Sequence, residues 1–67
     1  MEASSQVWSL EPESELRVEV GFDASLSIAL RRGTAEIAGI ELALNRVYKL
    51  SGRKLAVFSW HGCDIET

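Results

Sequence analysis

Apolar and polar residues alternate one by one over two stretches in the first half of the chain. In residues 15–20 leucine and valine alternate with glutamate and arginine, and in residues 26–30 leucine and isoleucine alternate with serine and alanine. Such a two-residue period is typical of a half-buried β-strand. Turn-forming residues at 21–24 separate the two stretches, and Gly33 can adopt the positive φ angle of a tight reversal. The pattern therefore predicts two strands and a hairpin.

The middle of the chain fits two different periodicities. Four apolar residues are spaced by three, four and three positions, as on one face of an amphipathic helix: Ile37, Ile40, Leu44 and Val47. Against a helix, Gly39 in its interior would cost about 1 kcal/mol relative to alanine. Residues 34–37 also alternate as a strand, with Ala35 and Ile37 inward. We therefore expect a strand, a turn at Gly39 and a second short strand.

The second half of the chain contains three further apolar runs. Residues 47–50 form a short run that ends at a serine and a glycine, residues 55–60 are apolar on both faces, and residues 63–67 alternate after a turn at His61 and Gly62. A strand that is apolar on both faces is expected inside the sandwich rather than at its rim. Short strands separated by turn residues are typical of a sandwich or barrel. The sequence thus predicts an all-β fold, a small antiparallel β-sandwich.

The beginning of the chain lacks this alternation. Residues 1–9 are rich in serine and glutamate, so we expect a flexible lead-in, disordered over residues 1–5, before one β-sandwich domain at residues 10–67. The chain has 67 residues and a mass of 7.4 kDa. A single core of this size contributes about 3–5 kcal/mol of net stability, and an independent substrate pocket would be unusual.

Composition excludes several classes of protein. The apolar fraction of 46% and the charged fraction of 25% are typical of a folded domain and argue against disorder. A single cysteine, Cys63, excludes an internal disulfide framework and favours a reducing, intracellular setting. Residues 1–6 have the features of neither a secretory signal nor a transit peptide, and no apolar run approaches the roughly 20 residues of a membrane helix. We expect a soluble protein with no membrane partner.

Motifs for catalysis or metal binding are missing from the sequence. A Walker loop has four residues between its glycines and then a lysine, whereas five residues separate Gly33 from Gly39 and Ile40 follows. His61 and Cys63 are the only good zinc ligands, and a zinc site needs three or four ligands. As a nucleophilic pair they would share one strand face but lack an orienting third group. We expect no catalytic residue and no metal site, with Cys63 packed in the core and His61 in a turn.

The basic residues do not predict direct nucleic acid binding. Ten acidic residues outnumber seven basic ones, the formal net charge is −3, and no aromatic residues alternate with the basic ones as in a single-strand binding surface. Trp8 and Trp60 are expected to anchor the core. Six basic residues flank turns or occupy outward strand positions: Arg31, Arg32, Arg46, Lys49, Arg53 and Lys54.

Three segments of the chain carry a family resemblance. They are residues 15–20 (ELRVEV), 33–42 (GTAEIAGIEL) and 54–63 (KLAVFSWHGC). In this order and at these intervals they resemble the amino-terminal domain of the eukaryotic Clp family of polyribonucleotide 5′-hydroxyl kinases. The resemblance covers about residues 10–67, and the last segment is the most specific.

The resemblance implies a non-catalytic domain of a larger nuclear protein. The family is associated with pre-mRNA cleavage complex II, which acts in polyadenylation, and in animals with tRNA splicing. Its amino-terminal β-sandwich packs on a central P-loop kinase domain that binds ATP and Mg²⁺. Two residues of the amino-terminal domain also contact ATP, and they match Glu15 and Lys54 here. The implied partners are this kinase domain, other cleavage-factor subunits and, only through the parent protein, RNA. The parent is either an active kinase or an inactive scaffold.

Two departures from the family pattern affect what we expect. Ala38 stands where the family usually has an aromatic residue, and the chain ends at Thr67, where relatives continue into further strands. We therefore expect a domain truncated before its last strands, with an open sheet edge that favours self-association. The alternative function is a plain protein-interaction β-module of an mRNA 3′-end processing complex. In that case Glu15 and Lys54 are ordinary surface residues without a nucleotide role.

Overall fold

The computed structural model describes residues 5–67, which form two four-stranded antiparallel sheets. The strands are β1 Val7–Leu10, β2 Ser14–Val20, β3 Leu26–Gly33, β4 Glu36–Ile37, β5 Ile40–Glu41, β6 Val47–Leu50, β7 Arg53–Ser59 and β8 Cys63–Glu66. The first sheet has the order β1-β8-β3-β6, and the second has the order β2-β7-β4-β5. Over these described residues there is no helix, hence none able to span a membrane. The predicted all-β sandwich is confirmed.

Strand β7 lies inside its sheet, as its two apolar faces predict. It pairs with β2 from Ser14 opposite Ser59 to Val20 opposite Arg53, and it pairs with β4 on its other side. Val57 on its inner face is fully buried. Strand β7 therefore sets the register of both neighbours, including the charged residues that β2 presents to solvent.

The core lies between the two sheets and takes side chains from both. Partly exposed apolar residues, among them Leu16, Tyr48 and Leu55, pack around its edge. Because burial of apolar surface stabilises a domain by about 25 cal/mol per Å², these few side chains supply most of the driving force for folding. The buried cluster consists of Ile28, Leu30, Ala35, Leu42, Val57, Cys63 and Ile65.

The hairpin predicted from the first two alternating stretches is wrong. Strand β2 pairs with β7, whereas β3 pairs with β6 and β8 in the other sheet. The connecting residues 21–25 carry the chain between the sheets, and the carbonyl oxygen of Gly21 accepts hydrogen bonds from the N–H groups of Ala24 at 3.2 Å and Gly52 at 3.0 Å. A two-residue period shows that one face is buried, but it contains no information about the neighbouring strand.

Gly33 has the positive φ angle that was expected, 80°, but it does not form a tight reversal. It is the last residue of β3 and lies opposite Cys63 of β8. A methyl group on Gly33 would collide with the carbonyl oxygen of Gly62. Glycine is needed here because two backbones approach closely and the φ angle is positive.

The strand–turn–strand prediction for the middle of the chain is confirmed, and the helical alternative is excluded. Strands β4 and β5 pair with Ile37 opposite Ile40, so the loop consists of two residues. These are Ala38 with a φ of 51° and Gly39 with a φ of 79°. Two positive φ angles are typical of a type I′ turn, whose twist matches that of the flanking strands.

Part of the predicted lead-in is a strand, which corrects the boundary at residue 10. Strand β1 pairs with β8 from Val7 opposite Glu66 to Leu10 opposite Cys63. Just before it, Gln6 and Thr67 exchange two backbone hydrogen bonds of 3.2 and 2.8 Å. Residues 1–4 of the predicted lead-in lie outside the described residues. The short apolar pattern was missed because serine and proline interrupt it, whereas the pairing comes from the distant end of the chain.

Candidate functional site

The outer face of the β2–β7 pair carries both residues that the family resemblance singles out. Glu15 lies opposite Phe58, Arg17 lies opposite Ala56, and Glu19 lies opposite Lys54. Directly opposite residues of an antiparallel pair share one face, so Glu15 and Lys54 both point away from the core. The structure thus places the two predicted residues on one surface, although the sequence separates them by most of the chain.

Glu15 and Lys54 lie at opposite ends of a shallow groove on this surface. Because Lys54 is opposite Glu19, four residues after Glu15, the two backbone positions are about 13 Å apart along the strand. Ala56 lies between them, and its small side chain leaves the groove open at its middle. The groove has a volume of about 490 Å³ and is lined by Glu15, Arg17, Val18, Glu19, Lys54, Leu55 and Ala56.

Both predicted residues have weak ionic partners within the domain. The Arg17 Nε donates to the Glu15 Oε1 at 2.9 Å, and the Lys54 Nζ lies 4.0 Å from the Glu19 Oε2. The Lys54 and Glu19 side chains are 82% and 74% exposed. Solvent-exposed ion pairs of this kind contribute about 0–1 kcal/mol. Glu15 and Lys54 can therefore exchange these partners for a ligand at little cost.

The structure separates His61 from Cys63 instead of placing both on one strand face. Cys63 is fully buried in β8, whereas His61 is exposed in the turn before it. Gly62 has a φ of 95° and turns the chain between them, so the even spacing that predicted a shared face does not apply. Burial raises the pKa of the Cys63 thiol, which disfavours the nucleophilic thiolate. Residues 5–67 contain no group of three ligands that could hold a metal ion.

The turn between β7 and β8 depends on Ser59, which the sequence analysis did not single out. Ser59 is fully buried. Its Oγ donates to the carbonyl oxygen of Thr34 at 2.7 Å and accepts from the N–H of Gly62 at 2.8 Å. The signal was available, because Ser59 is the one hydroxyl residue in the apolar run 55–60. A buried polar group in such a run requires a partner.

The prediction that Trp8 and Trp60 anchor the core is wrong. Trp60 is 57% exposed and Trp8 is 38% exposed. Trp60 follows the last residue of β7 and makes an edge-to-face contact with Phe58, with ring centroids 4.7 Å apart. Trp8 lies on edge strand β1, where its Nε1 donates to the Thr67 Oγ1 at 3.3 Å. The outer surface of the second sheet therefore exposes an aromatic residue beside the candidate site.

Arg31 and Arg32 belong to ion pairs on the first sheet. The Arg31 Nε donates to the Glu66 Oε1 at 2.8 Å, and Arg32 donates to both carboxylate oxygens of Asp64 at 2.9 and 3.2 Å. The hydrogen bonds from Arg32 and Ser9 hold the pKa of Asp64 below its ordinary value, and the hydrogen bond from Arg31 does the same for the pKa of Glu66. These two ion pairs connect β3 with β8 on the surface of the first sheet.

The sequence matches known proteins over nearly its whole length. Residues 9–67 match the family CLP1_N, described as the N-terminal β-sandwich domain of polyadenylation factor. The chain is 55% identical over 62 residues to the protein CLP1 homolog of Dictyostelium discoideum, an alignment that covers 92% of this chain. It is 49% identical over 63 residues to the mRNA cleavage and polyadenylation factor CLP1 of Pyricularia oryzae, which covers 94% of this chain.

The matched region is a small part of these relatives. It spans 14% of the length of both the Dictyostelium and the Pyricularia proteins. The two-sheet architecture agrees with the description of the matching family as a β-sandwich. The chain therefore belongs to the CLP1_N family, the N-terminal β-sandwich domain of polyadenylation factor.

Proposed function

We propose that this chain is the non-catalytic amino-terminal domain of an RNA 5′-hydroxyl kinase that works in mRNA cleavage and polyadenylation. In this proposal the domain docks on the P-loop kinase domain of the same polypeptide and contributes Glu15 and Lys54 to the binding of ATP. The Pyricularia relative is named an mRNA cleavage and polyadenylation factor, which supports a place among the other subunits of such a factor. A nuclear location and a role in tRNA splicing belong to the same proposal.

One observation carries the nucleotide role. Glu15 and Lys54 line the same groove on the outer face of β2 and β7. Their spacing of about 13 Å along the strand suits contacts to different parts of one extended nucleotide. A carboxylate accepts hydrogen bonds from an amino group or a ribose hydroxyl, and an ammonium group offers positive charge and three donors.

The domain does not transfer the phosphoryl group in this proposal. That reaction needs a phosphate-binding loop, metal ligands and a group that positions the acceptor hydroxyl. When bound, Mg²⁺ neutralises charge that develops on the phosphates, and its ligands come from the kinase domain. Glu15 and Lys54 instead orient the nucleotide, and the β2–β7 surface covers it from one side.

The nucleotide role is tested by titrating ATP into the full-length polypeptide that carries this domain. We expect Glu15→Ala and Lys54→Ala each to weaken ATP binding by about tenfold, since a hydrogen bond to a charged group contributes about 1.5 kcal/mol or more. Lys49→Ala is the matched control, because Lys49 lies opposite Ser27 on the other sheet. It should leave the dissociation constant unchanged.

The competing function is a protein-interaction β-module without a nucleotide role. It is favoured by the ion pairs that Glu15 and Lys54 already form with Arg17 and Glu19, because such pairs are common on ordinary protein surfaces. Unchanged ATP affinity in both alanine variants would leave only this function. Direct RNA binding by the chain would appear as a steep loss of affinity with salt in a filter-binding series.

A further inference from the structure

The exposed Trp60 belongs to a patch of aromatic and acidic side chains on the second sheet. Phe58 of β7 lies opposite Glu36 of β4, and Glu36 lies opposite Glu41 of β5. Opposite residues share a face, so these three side chains form one row on the outer surface, and Trp60 packs edge-on against Phe58. We call Glu36, Glu41, Phe58 and Trp60 the Phe58–Trp60 patch.

The patch borders a cavity of about 250 Å³. Its remaining lining comes from the loop before β4 and from the turn after β7, namely Thr34, Ala35 and His61. Ser59 connects these two segments through its hydrogen bonds to Thr34 and Gly62. These two hydrogen bonds therefore link the backbone segments on the two sides of the cavity.

The two carboxylates of the patch have no ion-pair partner among the described residues. Among the described residues the ion pairs of the domain involve Arg17, Arg31, Arg32 and Lys54, and none of them reaches Glu36 or Glu41. Like charges directly opposite each other on neighbouring strands destabilise a sheet. A cation placed between these carboxylates would remove that repulsion.

We propose that the Phe58–Trp60 patch binds an arginine side chain presented by a partner protein. A guanidinium group is planar, so it can donate two parallel hydrogen bonds to a carboxylate and also stack on an aromatic ring. Lysine offers a strongly hydrated point charge without this planar match. The patch thus combines the two features, carboxylate and ring, that recognise arginine.

Other ligands fit the patch less well. Single-stranded RNA stacks on aromatic rings within a positively charged groove, whereas Glu36 and Glu41 would repel its phosphates. Calcium takes six to eight oxygen ligands and magnesium demands octahedral geometry, and two carboxylates beside aromatic rings do not supply them. The proposal requires neither Lys54 nor Glu15, which lies opposite Phe58 but is paired with Arg17, so it stands or fails separately from the nucleotide role.

The test is a titration of the ¹⁵N-labelled 67-residue chain, without nucleotide, followed by NMR. The probe is a short acetylated glycine peptide with one central arginine, and the matched probes carry citrulline or lysine in its place. We expect the arginine peptide to shift the Trp60 indole N–H saturably, with a dissociation constant about tenfold lower than that of the citrulline peptide. The indole N–H of Trp8, on the other sheet, is the internal reference.

Variants separate the patch from the rest of the surface. Glu36→Gln combined with Glu41→Gln should weaken binding of the arginine peptide about tenfold, and Trp60→Ala should weaken it similarly. Asp23→Asn in the β2–β3 connection, at the opposite end of β2, should leave it unchanged. The glutamine variants keep the shape of the surface, so they remain decisive if Trp60→Ala does not fold.

Several results would overturn the proposal. One is the absence of any Trp60 shift with the arginine peptide. A second is equal affinity for the citrulline peptide, because the charge would then have no role. A third is unchanged affinity in the double glutamine variant. A stronger Trp60 shift with oligouridylate than with the arginine peptide would assign the surface to RNA instead.

Discussion

Among residues 5–67, Ser59 has the one buried polar side chain, and Ser59→Ala tests how the turn between β7 and β8 is held. The Ser59 Oγ donates to the Thr34 carbonyl at 2.7 Å and accepts from the Gly62 N–H at 2.8 Å. Alanine fills nearly the same space without either hydrogen bond. The variant therefore isolates the polar contribution of this side chain from its packing.

The two partners lost in Ser59→Ala do not cost the same free energy. Thr34 is exposed, so water can replace the hydroxyl as a donor to its carbonyl oxygen. Gly62 is buried, and its N–H would be left without an acceptor. An unsatisfied buried donor costs about 1–3 kcal/mol, which is a large part of the roughly 3–5 kcal/mol that a core of this size provides.

Urea unfolding followed by far-UV circular dichroism measures this loss. We expect a free energy of unfolding lower by about 1–3 kcal/mol at an unchanged m value, and a midpoint temperature lower by about 4–8 °C for each kcal/mol. Ser27→Ala on the exposed face of β3 is the matched control, with an expected change within about 0.5 kcal/mol. A Ser59→Ala effect no larger than that of Ser27→Ala would refute the reasoning.

Three further predictions follow from backbone geometry, charge and burial. Gly33→Ala should lower the free energy of unfolding in urea by more than about 2 kcal/mol, because the positive φ angle and the backbone collision both destabilise the variant. Gly39→Ala, which has open space around it, should lower it by only about 1–2 kcal/mol. Equal losses in the two variants would contradict this. The pKa values of Asp64 and Glu66 are lowered in the folded state, so the two carboxylates stabilise the fold. This contribution to stability is complete above their ordinary pKa values of 3.8 and 4.5 and is lost as the pH falls below them. The midpoint temperature of thermal unfolding should therefore fall as the pH is lowered, and it should fall less in Arg32→Gln. A midpoint temperature that does not change below pH 5 would count against this prediction. The thiol of Cys63 is buried, so it should react with a disulfide reagent only when the domain opens. The rate of this reaction should therefore rise steeply with urea concentration. A fast reaction in buffer without urea would contradict the prediction.

Much of the secondary structure was predictable because it depends on local patterns. The alternation over residues 15–20 and the apolar run at 55–60 predict β2 and β7, and the turn expected at Gly39 lies between β4 and β5. The outward position of Glu15 follows from the alternation over residues 15–20, whereas Lys54 was expected at the surface as one of the basic residues that flank turns or outward strand positions. Their selection as nucleotide contacts came only from the family resemblance and stays a prediction.

Apart from the β4–β5 hairpin, the partners of the strands were not predictable from these patterns. Strand β2 pairs with β7 rather than with its neighbour β3, and β1 pairs with β8 at the far end of the sequence. These and the β4–β7 pairing place Glu15 and Lys54 on one groove, and Phe58 in one row with Glu36 and Glu41. The residues near β1 or β2 in the sequence do not indicate which distant strand each one pairs with.

Where apolar and polar residues alternate, as in β2, the sequence by itself determined the strand and its inward face, since a strand has a period of two whatever lies beside it. Strand β1, without such alternation, was not determined in this way. Only the tertiary structure decided the order of the strands, the exposure of Trp60 and the separation of His61 from Cys63. The physical reason is that burial depends on the total packing of two sheets, to which distant segments contribute as much as neighbours do.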